Sequence, residues 1–313
     1  MSNLERFASK LLAHLKIGTF SAGELSGLNK LIDARIYEAF ADRMLLPSLV
    51  PIKPESAPFM HYSTCVADDF LHPRFHMIAK LLGREPCWHR KLWEWAYIAH
   101  HLVDRIQPGQ RGLGFGVGTE PLTALFASLG AHVVATDAPS DDGRWAYGNQ
   151  WANSRDSLRA PQIIADPLFD ERVEYLPCDM NNIPAGFREF DFVWSSCSLE
   201  HLGSLEAGIR FVENSMETLK RGGIAVHTTE FNVLSDTDTV DTGGTVIYRK
   251  RDMEGLVESL RARGHKVASF SVGPDAHLLD HYIDVPPYTA YPHLKLRLAK
   301  YVTTSAGIMI EAG

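Results

Sequence analysis

Between Gly112 and Leu122 the chain reads GLGFGVGTEPL, with glycine at every second position from Gly112 to Gly118. Glycine adopts backbone conformations closed to other residues and lets a ligand approach with no Cβ in the way. The strand-like run HVVATD then ends in Asp137. A carboxylate at a second strand end, about 20 residues after a glycine turn, can accept both hydroxyls of a ribose. VEYLPCD supplies another such acid, Asp179, placed to accept from an adenine amino group. Glu200 and His201 follow the run FDFVWSSC. Both are side-chain types that remove a proton from a reacting hydroxyl.

The turn departs from two common nucleotide motifs. A dinucleotide fingerprint needs G-x-G-x-x-G. Counted from Gly112, Gly114 and Gly116, its last position falls on Val117, Thr119 and Pro121. No Gly-Lys-Ser/Thr follows, so a P-loop is absent. Near the C-terminus, Asp275, His277, Asp280, His281 and Asp284 cluster within DAHLLDHYIDVPPY. Carboxylate and imidazole groups suit several metals, sugar hydroxyls or a plain polar loop; no metal is assigned. Trp145, Tyr147 and Trp151 follow Asp137 and offer flat faces for a cofactor, an acceptor or ordinary packing.

These residues need a scaffold, and strands alternating with helices from Arg111 onward predict one. The strands are RGLGFG, HVVATD, VEYLPCD, FDFVWSSC and IAVHTTEF, followed later by HKVASFSV and YVTTSAGIMI. Helices are predicted over 119–129, 204–219 (closed by Arg221-Gly222-Gly223) and 252–263. The pattern implies an α/β doubly wound, mostly parallel, seven-stranded sheet, with ligands at the carboxyl ends of its strands. Residues 1–105 read as a helical extension or cap and 106–313 as the ligand-binding domain, with acceptor-side insertions around 232–300. In the extension, 25–46 has helical apolar spacing, and a proline-rich linker follows. Trp88, Leu92, Trp95, Ala99 and Val103 then form a helical stripe within residues 87–106. That helix is expected to cover the next domain or to wall its pocket.

Composition narrows the classes. The chain has 313 residues, 45% hydrophobic and 22% charged, with a formal net charge of −7. Without a basic block, nucleic acid is not the expected partner. No apolar run is long enough to span a membrane, and the N-terminus lacks the apolar core of a signal peptide. A cytoplasmic protein is therefore expected. The four cysteines show no CxxC pair, so they read as reduced thiols; Cys178 and Cys197 fall in predicted strands.

Taken in order, GFGVG, Asp137, CDMNNIP, FDFVWSSCSLEHL and LKRGGIAVHTTEF resemble the class I S-adenosylmethionine-dependent methyltransferases, near the branch called type 11. The resemblance implies a Rossmann-like fold and S-adenosylmethionine as cofactor. It implies that Gly114, Gly116 and Gly118 hold the methionine part and that Asp137 holds the ribose. Asp179 and Met180 would frame the adenine, with Ser195 and Ser196 near the sulfonium. The family's acid two places before the turn is replaced by Gly112, which makes Glu120 the candidate for the methionine amino group. His201 is the first candidate base and Glu200 the second. Flanking segments resemble bacterial methyltransferases of surface-polysaccharide biosynthesis, so O-methylation of a sugar or glycoconjugate precursor is expected, by a chain compatible with a homodimer. Methylation of another small metabolite or natural product, an NAD-dependent oxidoreductase and a non-catalytic cofactor-binding module stay open as alternatives.

Overall fold

The computed structural model describes residues 51–139 and 151–313, together with Gly23, Gly27, Lys30 and Leu31, which are helical. The rest of the predicted helix over 25–46, and Trp145 and Tyr147, lie outside the described residues. The chain divides into two compact units, Met1–Val50 and Pro51–Gly313.

The second unit opens with helices α1 (Ala67–Phe70), α2 (Pro73–Leu81) and α3 (Arg90–Leu102). Histidine rings start the two longer ones. His72 accepts from the Arg74 amide and His89 from the Lys91 amide, each satisfying a donor that a helix start leaves free. Helix α3 buries more than the predicted stripe. Trp93, Glu94, Ala96, Tyr97 and Ile98 are buried with Leu92 and Ala99, while Trp95 and Val103 are half-buried. The helix lies directly on the sheet. A Cβ on Gly307 of the last strand would stand 2.3 Å from the Tyr97 ring, so only glycine allows this approach.

The strands are β1 (Arg111–Phe115), β2 (His132–Asp137), β3 (Val173–Pro177), β4 (Phe190–Ser196), β5 (Gly203–Ser204), β6 (Leu219–Asn232), β7 (Thr242–Gly243), β8 (Lys266–Val267), β9 (Ile283–Asp284), β10 (Lys295–Leu298) and β11 (Tyr301–Glu311). Between them run helices α4 (Leu122–Ser128), α5 (Asp166–Arg172), α6 (Leu205–Ser215) and α7 (Lys250–Ala262). The main sheet runs β3-β2-β1-β4-β6-β11-β10-β9, with β8 also on β11. Strands β3, β2, β1, β4 and β6 are parallel. The order reverses between β1 and β4, which makes their carboxyl ends the topological switch point.

This mixed sheet with helices is consistent with the expected Rossmann-like fold, but it corrects two details. It has nine strands rather than seven, and β11 runs antiparallel to β6, β10 and β8. The hairpin at Ala299–Lys300 reverses the chain between β10 and β11, so β11 has to oppose its neighbour. Strands β8 and β9 have two residues each, too few for alternation to reveal them. Only Lys266 and Val267 of the predicted strand HKVASFSV pair. Strand β6 begins at Leu219, before the glycines expected to end the preceding helix. Cys178 and Cys197 each fall one residue past a strand end.

Candidate active site

The first two glycines of the turn serve packing between strands. A Cβ on Gly112 would meet the Phe192 ring at 2.3 Å, and one on Gly114 would meet the Trp194 ring at 2.4 Å. The aromatic side chains of β4 therefore occupy the space that β1 leaves open. Gly116 and Gly118 form the turn itself, with φ of +56° and +51°. A Cβ on Gly116 would stand 2.8 Å from the Ser198 Cβ and 3.2 Å from the Met180 sulfur. Met180 is thus beside the turn. The Ser198 hydroxyl approaches the carbonyls of Phe115 and Gly116, holding the loop after β4 against the turn.

Asp137 is buried at the end of β2. Its carboxylate accepts from the amides of Gly118 at 2.9 Å, Ala138 at 2.8 Å and Ala152 at 3.0 Å. Burial raises its pKa, and these three amides offset only part of the rise. The turn and the acid are therefore one hydrogen-bonded unit. Asp179 is exposed, and its carboxylate accepts from the Asn181 amide. The Cys178 amide donates to the Asp137 carbonyl, tying the ends of β2 and β3 together. Glu120 is buried and accepts from the Trp194 indole at 2.7 Å. Burial pushes its pKa up to about 8. Trp151 donates from its indole to the Ala138 carbonyl.

Successive residues of a strand face opposite sides, and this separates the two serines. Ser195 is turned toward α6. Its hydroxyl lies 2.8 Å from His227 Nδ1, and His227 Nε2 lies 3.2 Å from the Ser215 hydroxyl. Burial lowers the His227 pKa to about 3, so the ring is neutral. Ser196 is turned toward α3, with its hydroxyl 3.4 Å from Glu94 Oε2.

Ser196 opens onto a buried charged cluster that the sequence did not announce. Glu94 of α3 accepts from Lys91 at 2.7 Å and from the Ser305 hydroxyl, with Arg90 at 3.7 Å. Burial alone would raise its pKa, but Lys91 and Arg90 outweigh burial and hold it below its ordinary value. Arg90 also pairs with Glu230 of β6 at 2.8 Å. Burial raises the pKa of Glu230 against the pull of Arg90. A usable signal existed in the sequence: Glu94 stands between two tryptophans, and Glu230 lies in the apolar strand IAVHTTEF. Acids in such settings are rarely buried without partners.

Glu200 and His201 form a short 3-10 turn after β4. Glu200 is fully buried and accepts from the Thr229 hydroxyl at 3.0 Å. His201 Nδ1 lies 2.8 Å from the Gly244 carbonyl. A carbonyl only accepts, so Nδ1 carries a proton and donates to it. The C-terminal cluster is dispersed. Asp275 pairs with Lys295, and Asp284 pairs with His293. His277 and Asp280 cap a 3-10 turn, with Asp280 also accepting from the Ala67 amide.

These observations fit an adenosine-bearing cofactor: a glycine turn without Cβ atoms, a carboxylate joined to it, and Met180 alongside. Residues 113–227 match the family model described as "Methyltransferase domain". No curated protein matches the chain significantly. Among solved structures, the DhpI–SAH complex is 14% identical with a TM-score of 0.41, over 69% of this chain and 82% of that one. The CcbJ methyltransferase from Streptomyces caelestis is 12% identical with a TM-score of 0.41, over 69% and 94%. A SAM-dependent methyltransferase from Aquifex aeolicus is 13% identical with a TM-score of 0.39, over 69% and 90%. These likenesses are remote. Among the described residues, no helix is long and apolar enough to cross a membrane. The matched domain, with its glycine turn and strand-end acid, supports a class I S-adenosylmethionine-dependent methyltransferase whose cofactor is S-adenosylmethionine.

Proposed function

We propose that the chain methylates an oxygen of a small polar acceptor, a sugar or glycoconjugate precursor of the kind used in surface polysaccharides. The observation that carries this reading is the charged cluster beside Ser196. Small-molecule sites are mostly apolar with a few placed polar groups. Here Arg90, Lys91, Glu94 and Glu230 gather around the carboxyl ends of β4 and β6. The half-buried Arg90 and Lys91 of this cluster would offer donors to a hydroxyl-rich acceptor.

The cofactor, when bound, supplies the methyl carbon and its leaving group. The chain's work is to hold the acceptor in line and to take its proton. Gly116, Gly118, Asp137, Met180 and Asp179 would hold the cofactor, with Glu120 as partner to its amino group. His201 is the proposed base, with Glu200 second. The Gly244 carbonyl, 2.8 Å from Nδ1, holds the ring's orientation and supports that role. Within the second unit, residues 51–105 of the expected cap and the insertions around 232–300 would select the acceptor.

His201→Ala is expected to lower single-turnover methyl transfer by about 10²–10⁴-fold, the range for loss of a general base. Affinity for S-adenosylhomocysteine should be unchanged. The test is a screen of nucleotide sugars and glycan fragments read by mass for an added methyl, followed by rates on the best acceptor. A rate within about threefold of wild type would remove His201 from the chemistry. Turnover of apolar metabolites alone would overturn the polar acceptor.

A further inference from the structure

Three side chains from separate places converge beyond the end of β4. Cys197 follows the strand, Glu200 lies in the 3-10 turn after it, and Glu230 lies near the end of β6. One ligand atom from each, the thiol sulfur and a carboxylate oxygen of each acid, lie within 4.8 Å of one another. Glu200 and Glu230 are only 0% and 3% exposed. Each uses one oxygen: Glu200 Oε2 accepts from Thr229, and Glu230 Oε2 pairs with Arg90. The other oxygen of each, Oε1, is buried with no hydrogen-bond partner. Leaving a buried charged acceptor unsatisfied costs its full desolvation penalty, and here two such atoms belong to neighbouring acids.

The backbone at Cys197 is also unusual, with φ of +52°. A non-glycine residue in that region is strained, and such strain collects at functional sites. Cys197 itself is half-buried.

The donor set selects among metals. Magnesium and calcium prefer all-oxygen sites. A thiolate with two carboxylates suits a softer first-row ion, and three protein ligands leave a coordination position open, as in zinc sites that do chemistry. We propose that Cys197, Glu200 and Glu230 bind one divalent transition-metal ion of the zinc type. The ion's binding does not depend on which acceptor the domain methylates. It would engage Glu200 as a ligand and leave proton transfer to His201.

The test uses the untagged full chain, stripped by chelator and kept reduced, titrated with Co²⁺ and then Zn²⁺. One equivalent of Co²⁺ should bind, with a thiolate-to-cobalt charge-transfer band that Zn²⁺ abolishes. Cys197→Ser should remove the band and weaken Zn²⁺ binding at least tenfold, whereas Cys178→Ser, at a thiol outside the cluster after β3, should leave both unchanged. The wild-type band reads thiolate ligation even if a variant fails to fold. The site is overturned by any of three results: no saturable Co²⁺ or Zn²⁺ binding below about 100 μM, bound Co²⁺ without the band, or a band that survives Cys197→Ser.

Discussion

The two halves of the candidate site are built by different means. The proposed cofactor half, at the ends of β1 and β2, is made largely of backbone: Gly116 and Gly118 in left-handed conformations, and Asp137 accepting three main-chain amides. The proposed acceptor half is made of side chains from α3, the end of β4, β6 and β11. A backbone cradle depends on local conformation and tolerates remote change. A side-chain cluster depends on every partner being present, because each buried charge is held by the others.

That contrast can be broken most severely at Glu94. Glu94→Gln removes the charge that compensates Lys91 and Arg90 in a buried setting. Breaking such a set by removing one partner costs about 3–5 kcal/mol. Denaturant unfolding should show a loss of this order, and a loss below about 1 kcal/mol, as for an exposed pair, would mean that water reaches the cluster. The reciprocal change is Gly116→Val. A branched side chain at φ +56°, with its Cβ 2.8 Å from the Ser198 Cβ, distorts the turn while leaving the sheet intact. Affinity for S-adenosylhomocysteine should fall at least about a hundredfold by calorimetry, with the circular dichroism of the fold retained. Wild-type binding would move the cofactor away from the turn.

The smallest expected effect tests where the halves meet. Glu120 follows the turn, and its pKa of about 8 in the cofactor-free protein is raised by burial. The folded state therefore holds a proton that the unfolded chain releases near pH 4.3. The resulting stability is fully present below that value and is lost as pH rises toward about 8. Glu120→Gln lacks this dependence. The melting temperature of the variant minus that of wild type should therefore grow between about pH 5 and pH 8, by a few degrees. A difference that stays flat with pH would show that Glu120 is ionised throughout.

The same division explains what could be read in advance. GFGVG, HVVATD and FDFVWSSC were legible because strand periodicity and glycine spacing are local properties. The antiparallel side of the sheet was not, because β8 and β9 are two-residue strands that exist only by pairing. Ser195 and Ser196 read alike in sequence, yet strand alternation sends one to His227 and the other to Glu94. The C-terminal acids and histidines looked like one cluster because they are neighbours in sequence. The fold spends them on separate caps and ion pairs.

By itself, then, the sequence determined the parallel core, the glycine turn and the acid that meets it, since residues within about 30 positions settle a strand–turn–helix–strand unit. The tertiary structure alone decided the charged wall. Arg90, Cys197, Glu230 and Ser305 are remote in the chain, and no local pattern marks them as partners. They meet because α3 packs across β6 and β11, burying Glu94 and Glu230 beside the half-buried Arg90 and Lys91. Their only stable arrangement is with one another.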